Sequence, residues 1–316
     1  MAGVAFFQFG VEIELLIGSR SKNHKSWSSL ASELSTRLIH SGIPNHLNEG
    51  NVKTPENYHE WSITREVTVP MQAGKNLWGL ELVSPVFTPN DAWIAHLSTI
   101  FKVLKAGFTI SPSPNCGTHI HLSTSPPLSA SQLAAVSKAM LFFEPALDNL
   151  LPSPRANSYW CQSNRANPSL KTLSTPQCFD QLDYAAVDVP SIVRAMCVFP
   201  AKSAYGRANG FTEDFVHGVY KWDLSPLLPG GLGTIEFRQA PGSRSAEDAR
   251  TWVELAVAFV AGAMNPETVL DPRAQVTMED LWWVIGVGAQ TTGISDMRAI
   301  EKLYVQAGKK TKGGKK

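Results

Sequence analysis

The chain opens on an alternation. In residues 4–18, VAFFQFGVEIELLIG, the apolar Phe7, Phe9, Val11, Ile13 and Leu15 take every second place, with Gln8, Gly10, Glu12 and Glu14 between them. Successive side chains of a strand point to opposite faces, so this pattern predicts a strand with one apolar and one polar face. The period then changes: Trp27, Leu30, Leu34, Leu38 and Ile39 recur at helical spacing, and Gly42 supplies a C-terminal stop. Residues 44–59, rich in Asn, Pro and Glu, predict an exposed loop. WSITREVTV (61–69) and LWGLELVSPVF (77–87) predict two strands joined by a turn near Gly74, followed by a helix from about Asn90 to Lys105. The alternation returns in NCGTHIHLS (115–123), with His119, His121 and Ser123 on one face and Thr118, Ile120 and Leu122 on the other.

Beyond this strand the pattern predicts a helix over 129–150, a loop-rich stretch over 152–180 and a short helix over 190–196. FVHGVYKWDLSPL (215–227) and GLGTIEFRQA (231–240) then read as two strands joined by a Pro-Gly-Gly turn. The last third is helical, over 246–264, 277–286 and 295–307. Strands and helices mix without a regular β-α-β alternation and without an internal repeat. The expected class is therefore α+β, a largely antiparallel sheet with helices packed on one side, in one domain spanning 1–307.

Composition narrows this picture. The chain has 316 residues, 43% of them hydrophobic, enough to bury a sizeable core. Its 28 basic and 27 acidic residues leave a net charge of +1, which gives no general attraction to nucleic acid or to an anionic membrane. The lopsided stretch is GKKTKGGKK (308–316), expected as a disordered basic tail. Cys116, Cys161, Cys178 and Cys197 lack CxxC spacing, which argues against a structural zinc or a disulfide framework. The apolar N-terminus carries two acids and no basic region, and Leu255–Met264 is too short to span a bilayer. A cytoplasmic protein without membrane association is expected; its oligomeric state stays open.

The polar faces carry the chemistry. Glu12 and Glu14 alternate on the first strand, Glu66 follows in TREVTV, and Glu81 sits among hydrophobic residues in LELVSP. His119 and His121 alternate on the next strand, and Glu236 with Arg238 on TIEFRQA. Singly, each reads as a solvated strand face or a cross-strand ion pair. If the strands share a sheet, five carboxylates and two imidazoles converge, an unfavourable cluster unless a cation sits in it. Oxygen ligands with an imidazole suit Mg²⁺ or Mn²⁺, and the number of ligands suggests two or more ions, which commonly serve phosphates. Arg238 would then pair with phosphate or carboxylate oxygens. Neither a Walker A motif nor G-x-G-x-x-G is present, so a nucleotide would be held without a glycine-rich loop.

In this order, FGVEIELL, WSITREVTV, LELVSPVF, CGTHIHLS and GTIEFRQAPGSRSAEDARTWVELAVAF resemble the amidoligase family of the carboxylate-amine ligase superfamily, over roughly residues 9–259. The resemblance implies a glutamine synthetase-like sheet forming an open funnel. It also implies a ligase that uses ATP and Mg²⁺ or Mn²⁺ to join a small-molecule or peptide carboxylate to an amine donor through an acyl phosphate. On this sequence it makes Glu12, Glu14, Glu66, Glu81, His119 and Glu236 the metal ligands and His121 a nucleotide or substrate contact. Arg238 becomes the group that stabilises the transferring phosphoryl, and Glu236 joins it in the catalytic set. Arg155 in LPSPRANSYW resembles a family arginine in a loop over the substrate, and Lys221 in VYKWDLSPL is expected at the nucleotide. Glu66 stands where the family usually has aspartate, so that carboxylate reaches one methylene farther. Two other readings share these residues: a two-metal hydrolase, and a non-catalytic binding protein on the same fold.

Overall fold

The structure is a computed structural model that describes residues 6–151 and 158–313. In chain order its elements are β1 (Phe6–Ser19), α1 (Trp27–His40), β2 (Asn45–Asn48), β3 (Trp61–Arg65), β4 (Trp78–Val83), α2 (Trp93–Gly107), β5 (Phe108–Ser111) and β6 (Gly117–Ser125). There follow α3 (Ala130–Leu150), α4 (Thr175–Ala185), α5 (Val189–Cys197), β7 (Val198–Phe199), α6 (Ala204–Ala208), β8 (Phe215–Val216), β9 (Trp222–Asp223) and β10 (Ile235–Pro241). The helices α7 (Ala246–Ala263), α8 (Met278–Thr292) and α9 (Arg298–Gly313) complete the chain. The registers are antiparallel at β1–β4, β1–β5, β3–β4, β7–β8 and β9–β10, and parallel at β2–β3. The fold class is α+β with a mostly antiparallel sheet.

The chain divides into two compact units, the first comprising Gln8–Ile120 and Ala240–Val253. In it, Ile13 faces Leu82 and Leu15 faces Leu80 across β1–β4, and Ile63 of β3 pairs with Leu82. These side chains are fully buried, as are Leu30, Leu34 and Leu38 of α1 and Leu97, Ile100 and Leu104 of α2. Each such burial stabilises the fold by about 1.5–3 kcal/mol. The helix α1 starts where Ser26 accepts the Ser29 N–H. Gly79 is required for close approach: a Cβ there would lie 2.4 Å from the Val69 carbonyl and 2.7 Å from that of Glu66. The segment after β3 thus lies directly on β4, which brings Glu66 toward Glu81.

The second unit contains His121–Gln239 and the chain from Glu254 onward, together with the first residues of β1. Its longest helix, α3, opens with a capping box in which Ser129 and Gln132 satisfy each other's main-chain N–H groups. Trp222 of β9 is fully buried, 4.7 Å from the Phe237 ring and stacked at 5.3 Å and 26° on Phe259 of α7. Each aromatic pair adds about 0.5–1.5 kcal/mol beyond area burial. Opposite this apolar side, Asp223 pairs in register with Glu236.

Four expectations are corrected. The stretch 44–59 holds β2, whose hydrogen bonds come from parallel pairing with β3, a non-local partner that composition does not reveal. Within 215–227 the expected continuous strand is broken: β8 pairs with β7, while β9 pairs with β10 after Gly218. The segment 152–180, read as loop, begins α4 at Thr175, where Ser174 and Gln177 form a capping box with Pro176 in the first turn. Finally, α9 continues through Gly308 to Gly313 where a disordered tail over 308–316 was expected, and 314–316 lie outside the described residues; lysine is a good helix former and extends the turn begun at Arg298.

Candidate functional site

In the first unit the strand period delivers what it promised, with one difference: the polar face is buried. Glu12, Glu14, Glu81 and His119 are 7%, 6%, 5% and 4% exposed. Glu14 stands opposite Glu81 across β1–β4. His119 Nδ1 lies 3.4 Å from a Glu12 carboxylate oxygen, and its Nε2 lies 3.8 Å from one of Glu14. The Gly117 N–H donates to the other Glu14 oxygen at 2.5 Å, fixing the start of β6 on β1. Ligand atoms of Glu14, Glu81 and His119 all lie within 4.8 Å of one another, a spacing that suits a single cation.

The electrostatics agree with that geometry. Burial, reinforced by the carboxylates of Glu12, Glu14 and Glu66, pushes the Glu81 carboxyl well above the usual range, while Lys53 acts in the opposite direction. Glu66 follows the end of β3 rather than lying on it, because the chain turns there and its carboxylate accepts the Thr68 N–H at 2.6 Å. It contributes charge to Glu81 from that turn. Two oxygens and an imidazole, with further carboxylates around them, fit Mg²⁺ or Mn²⁺ in their donor chemistry. The residues present fit such an ion.

The second unit gathers another set. The Arg238 guanidinium is paired with the Glu236 carboxylate. His121 Nε2 lies 3.8 Å from the same Glu236 oxygen, and its Nδ1 is 2.9 Å from the Thr234 hydroxyl. Asp223, opposite Glu236 and 3% exposed, is held by the Ser225 N–H at 2.8 Å and the Ser225 hydroxyl at 2.9 Å. Burial and the neighbouring Glu236 raise the Asp223 carboxyl, against the lowering effects of Ser225 and Arg238. This set can hold an anionic oxygen at Arg238 while its carboxylates orient a cation or a proton.

Of the expected site residues, Glu12, Glu14, Glu81 and His119 come together in the first unit, with Glu66 at their margin. His121, Glu236 and Arg238 come together in the second. Arg155 lies outside the described residues. Lys221 lies in the second unit, its ammonium held between Asp148, at 2.7 and 2.8 Å, and Glu144, at 3.2 Å, both on α3. Sequence reading missed Asp223, Thr234 and Lys53. Asp223 had a signal, since it alternates with Lys221 as Arg238 does with Glu236; Lys53 had none.

A family profile described as "Putative amidoligase enzyme" matches residues 7–260. The chain belongs to this amidoligase family. None of the curated proteins compared matches it. Among solved structures it is similar to a bifunctional glutathione synthetase from Pasteurella multocida, at 12% identity and a TM-score of 0.40, over 96% of this chain and 45% of that one. This chain thus spans less than half the length of that structure. The amidoligase profile contains every site residue named above in both units and ends within α7, before α8 and α9. No described helix is long and apolar enough to cross a membrane.

Proposed function

We propose that the chain is an ATP-dependent carboxylate-amine ligase, forming an amide through an acyl phosphate with Mg²⁺ or Mn²⁺. The observation that carries this reading is the buried Glu14–Glu81–His119 group, in a chain of the amidoligase family. A buried cluster of carboxylates is costly without a cation, and its donor types suit an ion that neutralises phosphate oxygens. When bound, the ion supplies charge neutralisation for phosphoryl transfer to the substrate carboxylate.

The chain's own residues divide the remaining work. Glu12, Glu14, Glu81 and His119 hold metal, with Glu66 adding negative charge at the margin. Glu236 orients Arg238 and, with His121, forms the second set. Arg238 binds the anionic oxygens of the transferring phosphoryl. Arg155 covers the substrate, a role that rests on the family resemblance alone. The acid substrate loses an oxygen to the departing phosphate, and the amine nitrogen takes its place at the acyl carbon with loss of a proton. The substrates are a small-molecule or peptide carboxylate and an amine donor, and the reaction suits a cytoplasmic ATP pool.

The test traps the acyl phosphate. Purified protein with ATP, Mg²⁺ or Mn²⁺, hydroxylamine and pools of carboxylic acids is assayed for hydroxamate and ADP. Hydroxamate formed only with ATP and metal, and lost in Arg238→Ala, is the expected result. Metal-dependent hydrolysis of amides or phosphodiesters without ATP would favour the two-metal hydrolase. Absence of ATP and Mn²⁺ binding by calorimetry would leave the non-catalytic reading.

A further inference from the structure

Lys221 is 2% exposed, yet nothing in the proposed chemistry touches its ammonium. Its partners Glu144 and Asp148 are one helical turn apart on α3 and so share a face. Burial alone would lower the lysine, but the two carboxylates more than reverse this and raise it, so it stays charged. Such a cluster gives little net stability compared with apolar side chains of the same shape; its best-attested use is to fix a register.

A register needs fixing here. The strand β9 contains two residues, Trp222 and Asp223, so its ladder to β10 is short. A slip of one residue would turn Asp223 away from Glu236 and bring an apolar neighbour to that face. The cluster grips this strand pair from both sides. The Lys221 carbonyl accepts the Arg238 N–H at 2.9 Å, and the Gln239 side chain, next after Arg238, donates to Asp148. Glu144 also accepts the Asn164 N–H at 3.1 Å. The Asn164 amide in turn brackets Trp222, donating to its carbonyl at 2.8 Å and accepting its N–H at 3.0 Å.

We propose that Lys221, Glu144, Asp148 and Gln239 form a register lock that holds β9 against β10 and so positions Arg238 and Glu236 opposite Asp223. Lys221 is a positioning residue rather than a nucleotide ligand, a role that rests on the ligase reading only where turnover is concerned.

The test removes the charges together, in Lys221→Met with Glu144→Gln and Asp148→Asn, so that no lone charge stays buried. The variant is expected to unfold cooperatively, while the amides of Trp222, Asp223 and Arg238 exchange at least about tenfold faster than in the wild type. In the hydroxamate assay its kcat falls about tenfold or more with KM changed less than about threefold, and Lys221→Arg alone recovers most of the loss. Wild-type exchange at those three amides overturns the lock whether or not the protein is a ligase. Faster exchange with undiminished kcat overturns the positioning role. A wild type that binds ATP but forms no hydroxamate counts against the ligase reading alone, since the exchange arm still stands. Should the neutralised chain fail to fold, Asp148→Asn, which leaves Lys221 paired with Glu144, carries the same measurements.

Discussion

In the second unit Glu144 and Asp148 meet a lysine that the chain itself supplies, at 2.7–3.2 Å, with Lys221 and Glu144 buried and the Asp148 side chain 32% exposed. In the first unit Glu14 and Glu81 face each other and His119, and the basic group acting on Glu81 is Lys53, on an exposed loop. Glu144 is buried against a lysine of the chain, whereas Glu14, Glu81 and His119 bring ligand atoms within 4.8 Å of one another, close enough to hold a cation. Burial exposes charges to strong mutual interaction, so each arrangement has a definite sign under mutation. Removing the lysine should unbalance the second set; removing a carboxylate should relieve the first.

The largest effect is expected at Lys221. Lys221→Ala leaves the buried Glu144 and the half-buried Asp148 without their cation and should lower the unfolding free energy by about 3 kcal/mol, the low end for a buried pair because Asp148 keeps part of its hydration, read from urea unfolding. Added Mn²⁺ should not restore it, because among the described residues no third metal-binding side chain joins Glu144 and Asp148. A loss below about 1 kcal/mol would mean that water or rearranged donors already satisfy the acids, and the contrast would fail.

The next effect has the opposite sign. Glu81→Gln replaces a carboxyl whose ionised form burial and the Glu12, Glu14 and Glu66 carboxylates disfavour, so with EDTA present and at a pH above that raised range the variant should be more stable than the wild type by about 1–2 kcal/mol. The same substitution should weaken Mn²⁺ binding about 10- to 100-fold by calorimetry, which corresponds to about 1.4–2.8 kcal/mol. Destabilisation without metal, together with unchanged Mn²⁺ affinity, would show that Lys53 and main-chain donors already neutralise this set. That outcome would remove the observation on which the ligase reading stands.

The difference between the two sets also explains how far the sequence could be read. Glu12, Glu14, Glu81 and His119 were legible because the strand period is local: an acid between two buried apolar neighbours has its face decided by them. The α+β class was legible for the same reason, as were α1, α2 and α3, whose apolar spacing and caps lie within the element. The partners of Lys221 were not legible because they come from α3, some seventy residues earlier, and no local pattern says which helix meets which strand. β2 escaped, and β9 was read only as part of a longer strand over 215–227, for a related reason. Runs of four and two residues are too short to show a period, and β2 owes its identity to its pairing with β3. Lys53 entered the site through a loop whose path composition does not encode.

The smallest effect supplies a control within the first unit. Glu33 of α1 accepts from His24 at 2.7 Å, from Arg37 at 2.7 and 2.9 Å and from Ser21 at 3.2 Å, so its charge, like those of Glu144 and Asp148, is met by the chain itself. Burial alone would raise its carboxyl, but the hydrogen bonds from His24, Arg37, Ser19 and Ser21 outweigh it and bring the pKa from 4.5 down to about 2. A lowered folded pKa means that stability is present above 4.5 and is lost as pH falls through about 2. Because Arg37 is 41% exposed, solvent screening reduces the contribution to about 1 kcal/mol. Glu33→Gln should therefore be less stable than the wild type by about that amount at neutral pH, with the gap closing toward pH 2 and insensitive to Mn²⁺. A gap that stays constant with pH would mean that the glutamine loses packing rather than charge. A gap that responded to Mn²⁺ would mean that metal reaches acids the chain already neutralises, and the distinction between the two kinds of carboxylate would be lost.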